Sequence, residues 1–167
     1  ARSRLSELAG EQRVRALELA RDADFRAAWE RGDEQRLQGV IEAALAGGHE
    51  STRGLALERI RLLDQSLDPM LTTGDGSGGV VTGCPSMASG RRSEQPGALT
   101  WTCLNDSGVV VTALVPLTGV SPVGYIEIVG DALPTLKRIG EDTNLALRIE
   151  RPAGEALYES SGWQALD

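Results

Sequence analysis

Aromatic residues are scarce in this chain of 167 residues, which has one Phe, two Tyr and three Trp, 4% of the whole. Histidine occurs once, as His49, and cysteine twice, as Cys84 and Cys103, with no Cys-x-x-Cys pair. One imidazole and two separated thiols do not complete the common zinc ligand sets, so neither a metal site nor a cofactor is expected. Basic residues are outnumbered: 17 Lys and Arg against 24 Asp and Glu give a formal net charge of -7 and a pI near 4.8. That balance argues against a nucleic acid or an anionic membrane as partner, because both recruit an excess of Lys and Arg. Long apolar runs are missing too, and no signal-peptide pattern occurs; no stretch nears the roughly 20 apolar residues that span a bilayer. The chain begins at Ala1, so this expectation covers these residues and not a parent protein.

What is present suits one soluble domain over residues 1–167, since 41% hydrophobic residues can build a single core. In the first fifty residues apolar side chains recur at helical spacing. Leu5, Leu8, Ala9, Ala16, Leu19 and Ala20 form a thin stripe among Arg4, Glu7, Glu11, Arg15 and Glu18. A first helix of about 30 Å is expected there. Its thin stripe suits a stalk or a subunit contact better than a core element, so two copies could pair through it and its deletion should leave the sheet folded. Asp22 or Asp24 caps a second helix carrying Phe25, Ala28 and the packing residue Trp29, which ends at Gly32. Asp33 caps a third, with Leu37, Val40, Ile41, Ala44 and Leu45 on one face, stopped by Gly47 and Gly48. His49 then falls in an exposed loop.

After Gly54 the period shifts toward extended structure. Residues 55–63 fit a strand, although Leu57, Ile60 and Leu63 also fit a helix. Residues 98–104, 109–115 and 123–129 are better strands, rich in Val, Ile, Thr and Trp. Asn105-Asp106-Ser107-Gly108 and Gly119-Val120-Ser121-Pro122 are turn sequences, so these three strands form an antiparallel meander. The middle strand is apolar on both faces and needs cover on both. Asp131 caps a short helix with Leu133, Leu136 and Ile139, and Pro134 is tolerated in its first turn. Residues 145–149 and 156–158 flank Pro152-Ala153-Gly154 as a terminal hairpin, followed by Trp163 in the tail.

The run Gly74-Asp75-Gly76-Ser77-Gly78-Gly79 is one inserted glycine away from the surroundings of a serine-protease nucleophile, with His49 and Asp64 upstream. The extra Gly76 shifts that serine against its oxyanion donors, and a single small domain lacks the two barrels such an enzyme needs. A phosphate cradle would need a helix N-terminus after the glycines, and Val80-Val81-Thr82 follows instead. A calcium loop needs several oxygen ligands, and Asp75 stands nearly alone. The stretch is read as part of a lid from about Thr72 to Gly97. No catalytic residue is assigned, and the chain is read as a non-enzyme.

Two segments carry a family resemblance. The run Ala20-Arg21-Asp22-Ala23-Asp24-Phe25-Arg26-Ala27-Ala28-Trp29, through Gly32-Asp33 and Leu37, resembles the start of extracytoplasmic Cache-type (PAS-like) sensor domains of bacterial receptors. Pro122-Val123-Gly124-Tyr125-Ile126-Glu127-Ile128-Val129-Gly130-Asp131-Ala132-Leu133 is similar to their last core strand and the helix after it, and residues 147–160 to the hairpin that follows. The Tyr, Arg, Trp, Asp constellation by which amino-acid-binding members hold their ligand is absent. The resemblance implies an α+β fold: N-terminal helices, then an antiparallel PAS/Cache-like sheet with a long glycine-rich lid loop. Residues 1–48 would be stalk and packing helices and residues 54–167 the sheet region.

It further implies a periplasmic small-molecule sensor in a membrane-anchored parent of the histidine kinase, chemoreceptor or diguanylate cyclase type. A periplasmic protein-interaction domain is the alternative. In a PAS-like sheet the pocket lies between the sheet and the segments crossing it, which makes Arg59, Arg61, Asp64, Trp101, Tyr125 and Glu127 the candidate ligand-binding residues. Trp and Tyr supply stacking area, and Arg could clamp a carboxylate. Cys84 and Cys103 are a candidate disulfide stapling lid to sheet, with two unpaired core thiols as the alternative.

Overall fold

The computed structural model describes residues 2–49, 55–74, 97–104, 108–117, 123–143, 145–151 and 154–164. Three helices come first: α1 (Arg2–Arg21), α2 (Ala23–Arg31) and α3 (Glu34–His49). Five strands follow: β1 (Ala56–Leu63), β2 (Pro69–Gly74), β3 (Leu99–Leu104), β4 (Val109–Leu117) and β5 (Gly124–Asp131). Helix α4 (Leu133–Asp142), the hairpin β6 (Arg148–Glu150) and β7 (Ala156–Glu159), and the short α5 (Ser161–Gln164) complete the chain. This is the expected α+β arrangement.

Local chemistry sets the helix ends. The Asp22 carboxylate accepts the Phe25 N–H at 2.8 Å, and Gly32 closes α2 in the left-handed region at φ 65°. The Asp33 carboxylate accepts the Arg36 N–H at 3.0 Å and opens α3. Helix α3 continues through Gly47 and Gly48 to His49, past the expected stop, because its apolar stripe of Leu37, Ile41 and Leu45 is held by the sheet. Packing outweighs the roughly 1 kcal/mol that a helical glycine costs against alanine.

The five strands form one antiparallel sheet in the order β2-β1-β5-β4-β3. The predicted meander is β3-β4-β5, and residues 56–63 form a central strand between β5 and β2. Alternation resolves their ambiguous period: Ile60 and Leu62 point to the helices with Ile126 and Ile128, while Arg59, Arg61 and Leu63 point the other way, opposite Val129, Glu127 and Tyr125.

Helices cover one face. Leu19, Phe25, Leu37 and Ile41 join Ile60, Leu62, Val115 and Ile126 in the main core. A second cluster packs Leu8 and Ala9 of α1 on Val109, Val111 and Leu136. This corrects the stalk expectation for residues 1–20. The thin stripe of α1 lies on the sheet with Leu8 and Ala16 buried, while Glu7, Glu11, Arg13 and Glu18 are exposed. Small Ala side chains need little width to bury, so a narrow stripe suffices for a helix lying on a sheet, and removing α1 would uncover the core. Gln12 sits in the same stripe, fully buried, with neither amide atom partnered among the described residues.

The expected lid began too early. Thr72, Thr73 and Gly74 belong to β2, paired with Arg61, Ile60 and Arg59. Gly74 has φ 112°, and a Cβ there would lie 2.2 Å from the Glu58 carbonyl oxygen, so the first glycine of the run is an edge-strand residue that only glycine fits. Residues 75–96, including Ser77 and Cys84, lie outside the described residues, as do the side chain of His49 and the turn residues 105–107, 118–122 and 152–153.

Candidate ligand-binding face

The side of the sheet away from the helices carries its own cluster of Leu63, Leu114 and Tyr125, flanked by Leu67, Leu99 and Trp101, to which, among the described residues, no helix contributes a side chain. Register places the predicted residues on it. Arg61 is opposite Glu127 across β1 and β5, and Glu127 is opposite Leu114 on β4, which faces Leu99 on β3. One row along, Arg59 faces Val129, Val129 faces Thr112 and Thr112 faces Trp101. Tyr125 lies opposite Leu63. All the predicted site residues except Asp64 therefore share this far face.

Asp64 has a local task instead. Its carboxylate accepts the Ser66 N–H at 2.8 Å and the Asp68 N–H at 2.9 Å, closing the β1–β2 turn in which Leu67 adopts φ 68°. Short polar side chains that accept neighbouring backbone N–H groups are turn formers, a role the sequence 64–68 already suits.

At the centre is a buried ion pair. Both Nε and Nη2 of Arg61 donate to Oε2 of Glu127, and the two side chains are 8% and 6% exposed. Burial pushes the Glu127 carboxyl above the ordinary range, while Arg61 and, more weakly, Arg59 pull it back. Toward the end of β5, burial raises the half-buried Asp131 carboxyl, against the Leu133 N–H bond and Lys137, which lower it. Glu58 is raised by burial and then by the Asp131 charge. The N-cap of α4 is Ala132, without a side-chain capping bond, and not Asp131 as expected; Asp131 ends β5, and its carboxylate accepts the N–H of Leu133 at 2.7 Å from one position earlier.

Thr112 is the residue the sequence reading passed over. It is fully buried, and its hydroxyl has no hydrogen-bond partner among the described residues. The available signal was its isolation: it is the only side chain with a polar atom between Val109 and Leu117. Cys103 lies on the same face in register with Val110, and its proposed partner Cys84 is outside the described residues.

On the helix side a cleft of 820 Å³ runs between α1 and α3, with Leu19, Val40 and Ala44 along it and Arg15, Glu18, Asp22 and Arg36 around it. A smaller one of 460 Å³ lies near Phe25, Trp29, Leu117 and Val123. Trp29 stacks on Phe25 at 6.3 Å, as expected of a packing residue. Among the described residues no group of three His, Cys, Asp or Glu could hold a metal ion, and no helix is long and apolar enough to cross a membrane. No protein-family model and no curated protein matches the chain.

Proposed function

We propose that this chain is the small-molecule-sensing domain of an extracytoplasmic receptor, with its ligand on the far face of the sheet. The observation that carries this reading is the convergence of Arg59, Arg61, Trp101, Tyr125 and Glu127 on a sheet face to which, among the described residues, no helix contributes packing, around the buried ion pair of Arg61 and Glu127. Groups of this kind, few and polar among apolar neighbours, are what orient a ligand in a site. The strand order β2-β1-β5-β4-β3 with helices on one side is consistent with a PAS-like sheet. A periplasmic location and a membrane-anchored parent belong to the same proposal.

Signalling then follows from differential affinity. The ligand face and the α1 face are the two sides of the same strands, so a ligand that favours one arrangement of β4 and β5 also biases α1, which packs on both. Coupling of ~1 to 3 kcal/mol is typical for such linkage. Thermal-shift screening against amino acids, organic acids and purines tests the reading: a concentration-dependent rise is expected.

The second reading, a protein-interaction domain, is favoured by the α1–α3 cleft, whose apolar walls and charged rim suit a partner's side chains. A flat response to every small molecule, with charge reversal at Arg15 and Arg36 disrupting a stable complex, would select it.

A further inference from the structure

We propose that the 460 Å³ cavity beside Trp29, on the helix side of the sheet, is a binding site for a small aromatic carboxylate. This goes beyond the sensor reading above, whose ligand lies on the opposite face, and stands apart from it.

Room and access come first. The cavity lies where the end of α1 and helix α2 meet neighbouring strand ends, between Phe25 and Trp29 on one side and Leu117 of β4 and Val123 just before β5 on the other. Its volume falls within the ~300 to 1,000 Å³ usual for small-molecule sites. Solvent reaches it, since Val123 is 44% exposed and Arg21, Arg26 and Glu30 stand exposed along it.

The walls suit a flat apolar body. Phe25 is fully buried, and Trp29 stacks on it with ring centroids 6.3 Å apart. The indole is held a second time by the close approach of Gly124, where a Cβ would lie 2.8 Å from the ring. Trp29 is nevertheless only half-buried and lines the cavity, so it offers a stacking surface already fixed in place, which a ligand engages at little entropic cost.

Charge selects the other end of the ligand. In a chain of net charge -7, two guanidiniums, Arg21 and Arg26, line this cavity against one carboxylate, Glu30. Neither arginine has an ion-pair partner among the described residues, whereas Arg61 is filled by Glu127 and Arg36 is paired with Asp24. An entering carboxylate therefore meets two donor forks without displacing a partner, and an ammonium meets a mouth of its own sign. The larger α1–α3 cleft has no such preference for anions, because Glu18, Asp22 and Asp24 outnumber Arg15 and Arg36 there.

Three probes of one shape decide the matter: 2-naphthoate, 2-naphthalenemethanol and 2-naphthylmethylamine, titrated by calorimetry and by the indole N–H signals of the three tryptophans, assigned through Trp101→Phe and Trp163→Phe. 2-Naphthoate should bind most tightly, move the Trp29 signal and weaken as salt rises. The amine should bind least. Arg21→Gln and Arg26→Gln, both at exposed positions outside the core, should each weaken 2-naphthoate ~3- to 5-fold, the range of a solvent-exposed charge pair, and Glu30→Gln should tighten it. Equal affinity for acid and amine, unchanged affinity in both arginine variants, or no binding of 2-naphthoate would overturn the proposal. A shift at Trp101 with Trp29 unmoved would overturn it as well and would favour the far face. The sensor reading is untouched by these failures and falls only if its own screen of amino acids, organic acids and purines is flat.

Discussion

Arg61 and Glu127 face each other across the two central strands of the sheet, directly in register, and the guanidinium gives two of its N–H groups to a single carboxylate oxygen in a nearly solvent-free setting. They lie sixty-six residues apart in the chain and meet only because β1 inserts beside β5.

Breaking that pair from one side should be severe. Arg61→Ala leaves a buried carboxylate uncompensated and is expected to lower stability by about 3 to 5 kcal/mol. The double variant Arg61→Met, Glu127→Leu should recover most of the loss, as buried pairs replaced by apolar side chains often do. Urea denaturation of the three proteins measures both; equal losses in single and double variants would count against the pair as described.

Glu58 and Asp131 give a pH dependence of definite sign. Both carboxyls are raised in the folded state, Glu58 by burial and the Asp131 charge, Asp131 by burial. A raised acid binds its proton more tightly when folded, so each contribution is fully present below the unfolded value, 4.5 for Glu58 and 3.8 for Asp131, and is lost as pH rises through the folded one. Glu58→Gln should therefore flatten the fall in melting temperature between pH 4.5 and neutrality. A steeper fall in the variant would contradict the assignment.

Gly124 opens β5 where no side chain fits. A Cβ there would meet the Leu63 carbonyl oxygen at 2.7 Å and the Trp29 ring at 2.8 Å. Gly124→Ala is expected to cost about 1 to 3 kcal/mol through overpacking, seen as a lower denaturation midpoint with an unchanged slope.

Gln12 interrupts the apolar stripe of α1 with an amide that is wholly buried and unpartnered. Gln12→Leu should stabilise the protein by about 1 kcal/mol or more, since removing an unsatisfied polar group recovers its desolvation cost. It should also slow amide exchange along α1, which that residue helps hold on the sheet. A destabilised variant would mean the amide is satisfied.

For the cysteines, alkylation of the denatured protein without reductant should label neither Cys84 nor Cys103. Reduction should then lower stability by ~3 kcal/mol, the loop-entropy value for a bridge across this span. Full labelling before reduction would favour two separate thiols.

The sequence by itself determined the local elements. Asp22, Gly32 and Asp33 punctuate the helices through caps made within a few residues, and the Val- and Ile-rich runs of β4 and β5 read as strands because their composition suits a pleated, buried surface. It also named the side chains that the far face collects, since Arg, Trp, Tyr and Glu in apolar strands are conspicuous before any fold is known.

Only the tertiary structure decided what those residues do. Residues 55–63 carry both periods, and pairing with β5 and β2 chose the strand. The stripe of α1 is too thin to announce a core helix, and the sheet beneath it made it one. Arg61 looked ready for a carboxylate until register filled its fork with Glu127, and Thr112 looked like one more strand residue until burial left its hydroxyl alone. Caps and propensities act over a turn or two of chain; ion pairing and desolvation depend on neighbours that only long-range strand pairing supplies.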